Sequence, residues 1–199
     1  IDPVRFIGNR SSGKMGYAIA AELYRMGADV TLISGPVDLK VPEGIKKIEV
    51  ESASQMYDAS MEIFNQMDIA VLSAAVADYR PSKKNETKVK SASDTFDLHL
   101  VATQDIAKSL GENKSDKQML IGFALETDHE EENAILKLKK KNLDFIVLNS
   151  LNDKGAGFSV DTNKISILYP DNKKEYFELK SKQDVAKDIV QRIIDRFNA

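Results

Sequence analysis

Short apolar runs of strand length alternate with segments of helical period about five times along this 199-residue chain, and that rhythm limits the fold more than any other feature. Parallel strands cannot be joined by tight turns, so each return needs a crossover, most often a helix. Strands are predicted at 30–34, 45–50, 69–75, 118–123 and 145–149, and helices at 13–26, 54–66, 104–110, 130–141 and 183–197. The near-continuous Ile69-Ala70-Val71-Leu72 suits a sheet covered on both faces. Gly27 and Gly111 read as helix stops. The expected fold is α/β: a Rossmann-like parallel sheet flanked by helices. With 42% hydrophobic residues and no linker or repeat, residues 1–199 read as one domain around one core.

Two stretches depart from the rhythm. Residues 79–93 are polar and Lys-rich with Pro81, and read as a mobile loop. Residues 164–179 read as an antiparallel hairpin turned by Pro170-Asp171-Asn172. Residues 96–102 also alternate, adding a small antiparallel patch. Ile165, Ile167, Tyr169, Tyr176 and Phe177 offer more apolar surface than a lone ribbon can bury, which predicts that the hairpin packs against a second copy in a homodimer.

Composition narrows the chemistry. The chain has no Cys and two dispersed histidines, His99 and His129, which excludes thiol nucleophiles and predicts no zinc site. A net charge of −3 offers no global attraction to nucleic acid. No apolar run approaches the roughly 20 residues that span a bilayer, and no leader is visible, so a soluble, cytoplasmic protein off the membrane is expected.

Gly8-Asn9-Arg10-Ser11-Ser12-Gly13-Lys14-Met15-Gly16 opens straight into a predicted helix and reads as a phosphate cradle of backbone N–H groups. It nearly spells G-x4-G-K-[ST], but Met15 stands where that loop needs a hydroxyl, and no apolar strand precedes Gly8. Ser12 suits either a helix cap or the cradle, and Gly13 and Gly16 either close packing or phosphate approach. The Asn9 amide both donates and accepts, and is suited to gripping a polarised carbonyl.

Ligands of a doubly wound sheet bind beyond the carboxyl ends of its strands. There Leu72, Ser73 and Ala74 admit a ligand to the backbone, and Asp78 offers either a carboxylate for a ribose diol or a self-bonded loop turn. Thr103-Gln104-Asp105-Ile106 reads as a helix start. Phe123 reads as core or as a ligand contact, and Lys137 and Lys141 as a phosphate clamp or as partners of a helix dipole. Glu130-Glu131-Glu132 reads as a dipole partner without a catalytic role. Lys88 cannot be told from its loop neighbours by local physics.

Together, Asp2-Pro3-Val4-Arg5 with the segment through Gly16, Ala74-Ala75-Val76-Ala77-Asp78-Tyr79-Arg80, Lys88-Val89-Lys90 and Gly122-Phe123-Ala124-Leu125-Glu126-Thr127 resemble phosphopantothenoylcysteine synthetase through almost the whole chain. The resemblance is to the bacterial form, usually the carboxy-terminal half of a bifunctional protein whose other half is a flavin-dependent decarboxylase, fused or associated. It implies a two-step ligase. CTP, with Mg²⁺, activates the carboxylate of 4′-phosphopantothenate as an acyl-cytidylate with loss of pyrophosphate; the amine of L-cysteine then displaces CMP.

The resemblance implies that Asn9 handles the acyl-cytidylate and Lys88 is required to make it. It assigns Ser12, Gly13, Leu72, Ser73, Ala74, Asp78, Lys88, Thr103, Gln104, Asp105, Ile106, Phe123, Lys137 and Lys141 to the nucleotide, and Arg5 to substrate or dimer. No residue is assigned to a resident metal. Family members begin with an apolar strand and a Gly-Gly-Thr-type loop before the Asp-Pro-Val-Arg segment. Since Ile1 lies inside that region, a sheet lacking a central member is expected. The family's Asn-Pro-Asp-Ile is here Thr103-Gln104-Asp105-Ile106, and Lys90 is followed by Ser91, which shortens a basic cluster. Two rivals stand beside the ligase. A dinucleotide-dependent oxidoreductase is disfavoured by the absence of G-x-G-x-x-G at the strand-to-helix turns; the other is a non-catalytic nucleotide-binding module.

Overall fold

The structure, a computed structural model, describes residues 1–90, 95–150 and 160–198. In chain order the elements are α1 (Lys14–Arg25), β1 (Thr31–Ser34), β2 (Lys46–Glu49), α2 (Ala53–Phe64), β3 (Ile69–Leu72), β4 (Tyr79–Pro81) and β5 (Leu100–Ala102). Then follow α3 (Ile106–Asn113), β6 (Met119–Glu126), α4 (Glu130–Lys140), β7 (Phe145–Ser150), β8 (Thr162–Asn163), β9 (Ile165–Leu168), β10 (Lys174–Tyr176), β11 (Lys180–Ser181) and α5 (Lys182–Phe197).

The main sheet has five strands in the order β10-β9-β7-β6-β3. Strands β3, β6 and β7 are parallel, with Val71 opposite Ile121 and Phe123 opposite Val147. Strands β9 and β10 continue the sheet antiparallel. β1 and β2 form a separate parallel pair, so the parallel strands fall into two sheets, with β3 at the edge of the larger one. The continuous apolar run of β6 serves both faces by alternation: Met119 and Ile121 enter one core with α1 and α5, while Leu120 and Ala124 enter another with α2, α3 and α4. Phe145 and Val147 on β7 face the first, Ile146 and Leu148 the second. Each fully buried Leu or Ile contributes about 1.5–3 kcal/mol, which locks the register of the two central strands.

The hairpin differs from expectation in what it covers. Ile165, Ile167, Leu168 and Tyr169 are buried within their own protomer and Phe177 packs on the α5 core, whereas Tyr176 and Leu179 stand exposed. Joining the edge of β7 gives the ribbon a core of its own, so its apolar side does not require a second copy. The segment read as a loop from residue 79 starts as a strand: Tyr79–Pro81 pairs antiparallel with Leu100–Ala102, and Pro81 is tolerated because the ribbon is only two strands wide. The end of that segment, residues 91–93, lies outside the described residues.

Gly111 is not a helix stop. Helix α3 runs through it to Asn113, and a Cβ there would lie 2.0 Å from the Lys141 carbonyl oxygen. Alanine would gain about 1 kcal/mol in helix propensity but force α3 away from the end of α4. Gly111→Ala is expected to lower unfolding stability by about 2–4 kcal/mol in urea titration; a stabilised variant would refute this packing. Among the described residues, no helix is long and apolar enough to cross a membrane.

Candidate active site at the carboxyl end of the sheet

The first turn of α1 is open. Its N-cap is Gly13, in the left-handed region at φ 75°, where no side chain caps the helix. Ser12 therefore is not the cap. Gly13 accepts the Tyr17 N–H through its carbonyl at 3.1 Å, leaving the N–H groups of Lys14, Met15 and Gly16 without intrahelical partners, as at any helix start. Gly16 has a different reason to be glycine: a Cβ would come within 2.7 Å of Ser73 Oγ. Its bareness lets the start of α1 rest against the residue that follows β3.

The cradle and the strand end are joined directly. Asn9 Nδ2 donates to the carbonyls of Ala75 (3.0 Å) and Val76 (3.2 Å). The amide donors expected to grip a ligand are thus already engaged, and Oδ1 is the Asn9 atom with no partner among the described residues. Thr103 continues the ring, donating its hydroxyl to the Ala77 carbonyl (2.7 Å) and its N–H to the Asp78 carbonyl (2.9 Å). Leu72 and Ser73 are half-buried, while Ala74, Asp78 and Gln104 are exposed on the same rim. Ile106 departs from expectation: its side chain is buried in the core with Leu110, leaving only its backbone toward the rim.

Asp105 caps α3, accepting the Lys108 N–H at 3.0 Å, and pairs with Lys141 Nζ at 3.1 Å. Burial pushes its carboxyl up, but these two donors outweigh burial and hold it below the ordinary value. Lys137 pairs instead with Glu126 at 2.5 Å, at the end of β6. The two lysines therefore do not meet on one clamp; each is held by its own acid. Such partly exposed pairs are worth about 0–1 kcal/mol, so an arriving phosphate can compete for either cation. Phe123 is half-buried against the α1–α5 core.

Lys88 stands exposed between β4 and β5, yet its loop is tied down. The Ser82 N–H donates to the His99 carbonyl at 2.9 Å, and Arg5 Nη2 to the Val89 carbonyl at 2.8 Å. Arg5 is also paired with Asp2, so it is not a free cation awaiting substrate. Asp2 lies inside the motif that carries the resemblance, yet no role attaches to it there. An Asp followed two and three residues later by free backbone N–H groups signals a self-bonded turn, but its long-range partner has no local signal. Among the described residues, no group of three His, Cys, Asp or Glu could hold a metal ion.

Residues 1–197 match the family described as DNA/pantothenate metabolism flavoprotein C-terminal domain. The chain is 45% identical over 194 residues to the coenzyme A biosynthesis bifunctional protein CoaBC of Bacillus subtilis (strain 168), covering 97% of this chain and 48% of that protein. It is 52% identical over 195 residues to a protein described as cysteine/cysteine sulfinic acid decarboxylase from an unknown prokaryotic organism, covering 98% of this chain and 54% of that one. The chain spans about half the length of the curated relatives it matches. The crystal structure of the C-terminal domain of CoaBC superposes with a TM-score of 0.83 at 41% identity, covering 100% of this chain and 91% of that chain. With the family match running from the Asp2–Arg5 turn to the end of α5, the chain belongs to the DNA/pantothenate metabolism flavoprotein C-terminal domain family.

Proposed function

We propose that this chain is a ligase that joins 4′-phosphopantothenate to L-cysteine in coenzyme A biosynthesis, activating the carboxylate with CTP as an acyl-cytidylate and releasing pyrophosphate and then CMP. The observation that carries the reading is the Asn9 contact with Ala75 and Val76, which holds an uncapped helix start beside a strand end rimmed by Asp78. An uncapped first turn favours phosphate oxygens through its free N–H groups and the helix dipole. The exposed Asp78 carboxylate is suited to a ribose diol. Mg²⁺ fits as an ion carried by the triphosphate, with most of its oxygens supplied by phosphates and water.

The homology to bifunctional CoaBC proteins supports a flavin-dependent decarboxylase as fused or associated neighbour. The reading carries with it a cytoplasmic location and a homodimer. The exposed apolar residues Val4, Phe6, Tyr79, Phe96 and Leu100, on the amino-terminal segment and around the β4–β5 ribbon, are the surface we assign to the dimer.

Full-length protein with CTP and 4′-phosphopantothenate is expected to release pyrophosphate only when both are present, and CMP after L-cysteine is added. Equal turnover with ATP would overturn the CTP assignment. Nucleotide binding without pyrophosphate release from any triphosphate would replace the ligase with a binding module.

A further inference from the structure

Asp2 has a side chain with 0% exposure, in a segment whose neighbours from Pro3 to Arg10 are exposed. Its carboxylate is saturated. Oδ1 accepts the N–H groups of Val4 and Arg5, both at 2.9 Å, while Oδ2 accepts Arg5 Nε at 3.0 Å, Arg5 Nη2 at 2.5 Å and the Val89 N–H at 3.1 Å. The Arg5 guanidinium and these N–H groups hold the carboxyl well below the usual carboxylate range. Arg5 Nη2 also donates to the Val89 carbonyl at 2.8 Å. Both backbone groups of Val89 are therefore gripped by side chains more than eighty residues away, the N–H by Asp2 and the carbonyl by Arg5. A strand residue is normally held this way by the backbone of a neighbouring strand; here a salt-bridged pair takes the neighbour's place. Val89 is the residue after Lys88, and the segment that carries the clasp ends in Asn9.

We infer that Asp2 is a positioning residue: through Arg5 and Val89 it fixes the loop that presents Lys88, and it ties that loop to the segment that presents Asn9. The inference rests on the ligase reading for the step it serves. A lysine side chain reaches about 6 Å from its Cα, so drift of the following backbone moves the ammonium off a developing charge, and misplacement of about 1 Å can cost roughly 10²-fold in rate. The clasp acts on rate more than on affinity, because no clasp atom is assigned to the nucleotide.

The test is Asp2→Asn in the full chain. The new amide directs a donor at the Arg5 fork or the Val89 N–H, donor against donor, while keeping the shape of the turn. Tryptic cleavage after Lys84, Lys88 and Lys90 is expected to accelerate about tenfold or more as the loop opens more often. Formation of the acyl-cytidylate at saturating substrates should fall about 10–100-fold, with KM for CTP within about twofold of wild type. If Asp2→Asn does not fold, Arg5→Lys, which keeps the charge and loses the planar fork, should reproduce both effects. Unchanged cleavage, or faster cleavage with a normal first step, would overturn the inference. A wild type that forms no acyl-cytidylate removes the ligase reading and this role with it, and the cleavage pattern then still shows whether the clasp holds the loop.

Discussion

Asn9→Asp is expected to stall the reaction halfway, with the acyl-cytidylate formed and then persisting after L-cysteine is added. Asn9 donates to the Ala75 and Val76 carbonyls and has Oδ1 without a partner among the described residues. Aspartate keeps the size but replaces both donors by a charge that faces two carbonyl oxygens about 3 Å away. The cradle loses its tie to the strand end. A carboxylate near the incoming amine also favours the ammonium form, which cannot attack, so the second step suffers most. The overall rate should fall by roughly 10²–10³ or more, the scale for loss of one well-placed polar group. Rapid quench with labelled CTP, sampled before and after L-cysteine addition, measures it. Absence of the intermediate in this variant would remove Asn9 from the second step.

Lys88→Gln is expected to prevent the intermediate from forming at all. In the proposed reaction, negative charge builds on the departing pyrophosphate in the first step, and an ammonium carried by a tied loop can meet it there. Glutamine can still donate a hydrogen bond but brings no charge. First-step formation should drop by about 10²–10³ or more, with nucleotide binding little changed if Lys88 engages mainly as pyrophosphate leaves. The same rapid-quench series separates the two variants: one shows an intermediate that persists, the other none. A normal first step in Lys88→Gln would end the assignment of that lysine.

Much of the scaffold was legible because it rests on periodicity. The apolar runs that become β1, β2, β3, β6 and β7 stand where the rhythm puts them, and β1–β2 and β3–β6–β7 are parallel as crossovers require. The start of α2 carries a signal that the reading of periodicity leaves unused: Ser52 and Gln55 form a reciprocal capping box ahead of the first buried residue, Ser60. What escaped was non-local. The hairpin's apolar side could not be assigned to self or partner without knowing that β9 would pair with β7. Gly111 looked like a stop because its neighbour, the Lys141 carbonyl, lies 30 residues away. At the site, the meeting of the Asn9 segment with the strand end could be anticipated from where ligands bind such sheets. The separate acids holding Lys137 and Lys141, and the grip of Asp2 on Val89, could not, because long side chains choose partners after the backbone is in place.

Helix α1 owes its position to α5: Ile19, with Met15, Ala18 and Leu23, packs into the core of Val185, Ala186, Ile189, Val190 and Ile193. The first turn of α1 precedes the strands of the main sheet along the chain, and the surface that seats it follows them. During synthesis the amphipathic face of α1 has no permanent partner until α5 has emerged, and contacts of such sequence separation close slowly. This turn is therefore seated only after α5 has formed, and in the proposed reaction changes on the inner face of α5, which never touches the rim residues, act on phosphate binding through the seating of α1.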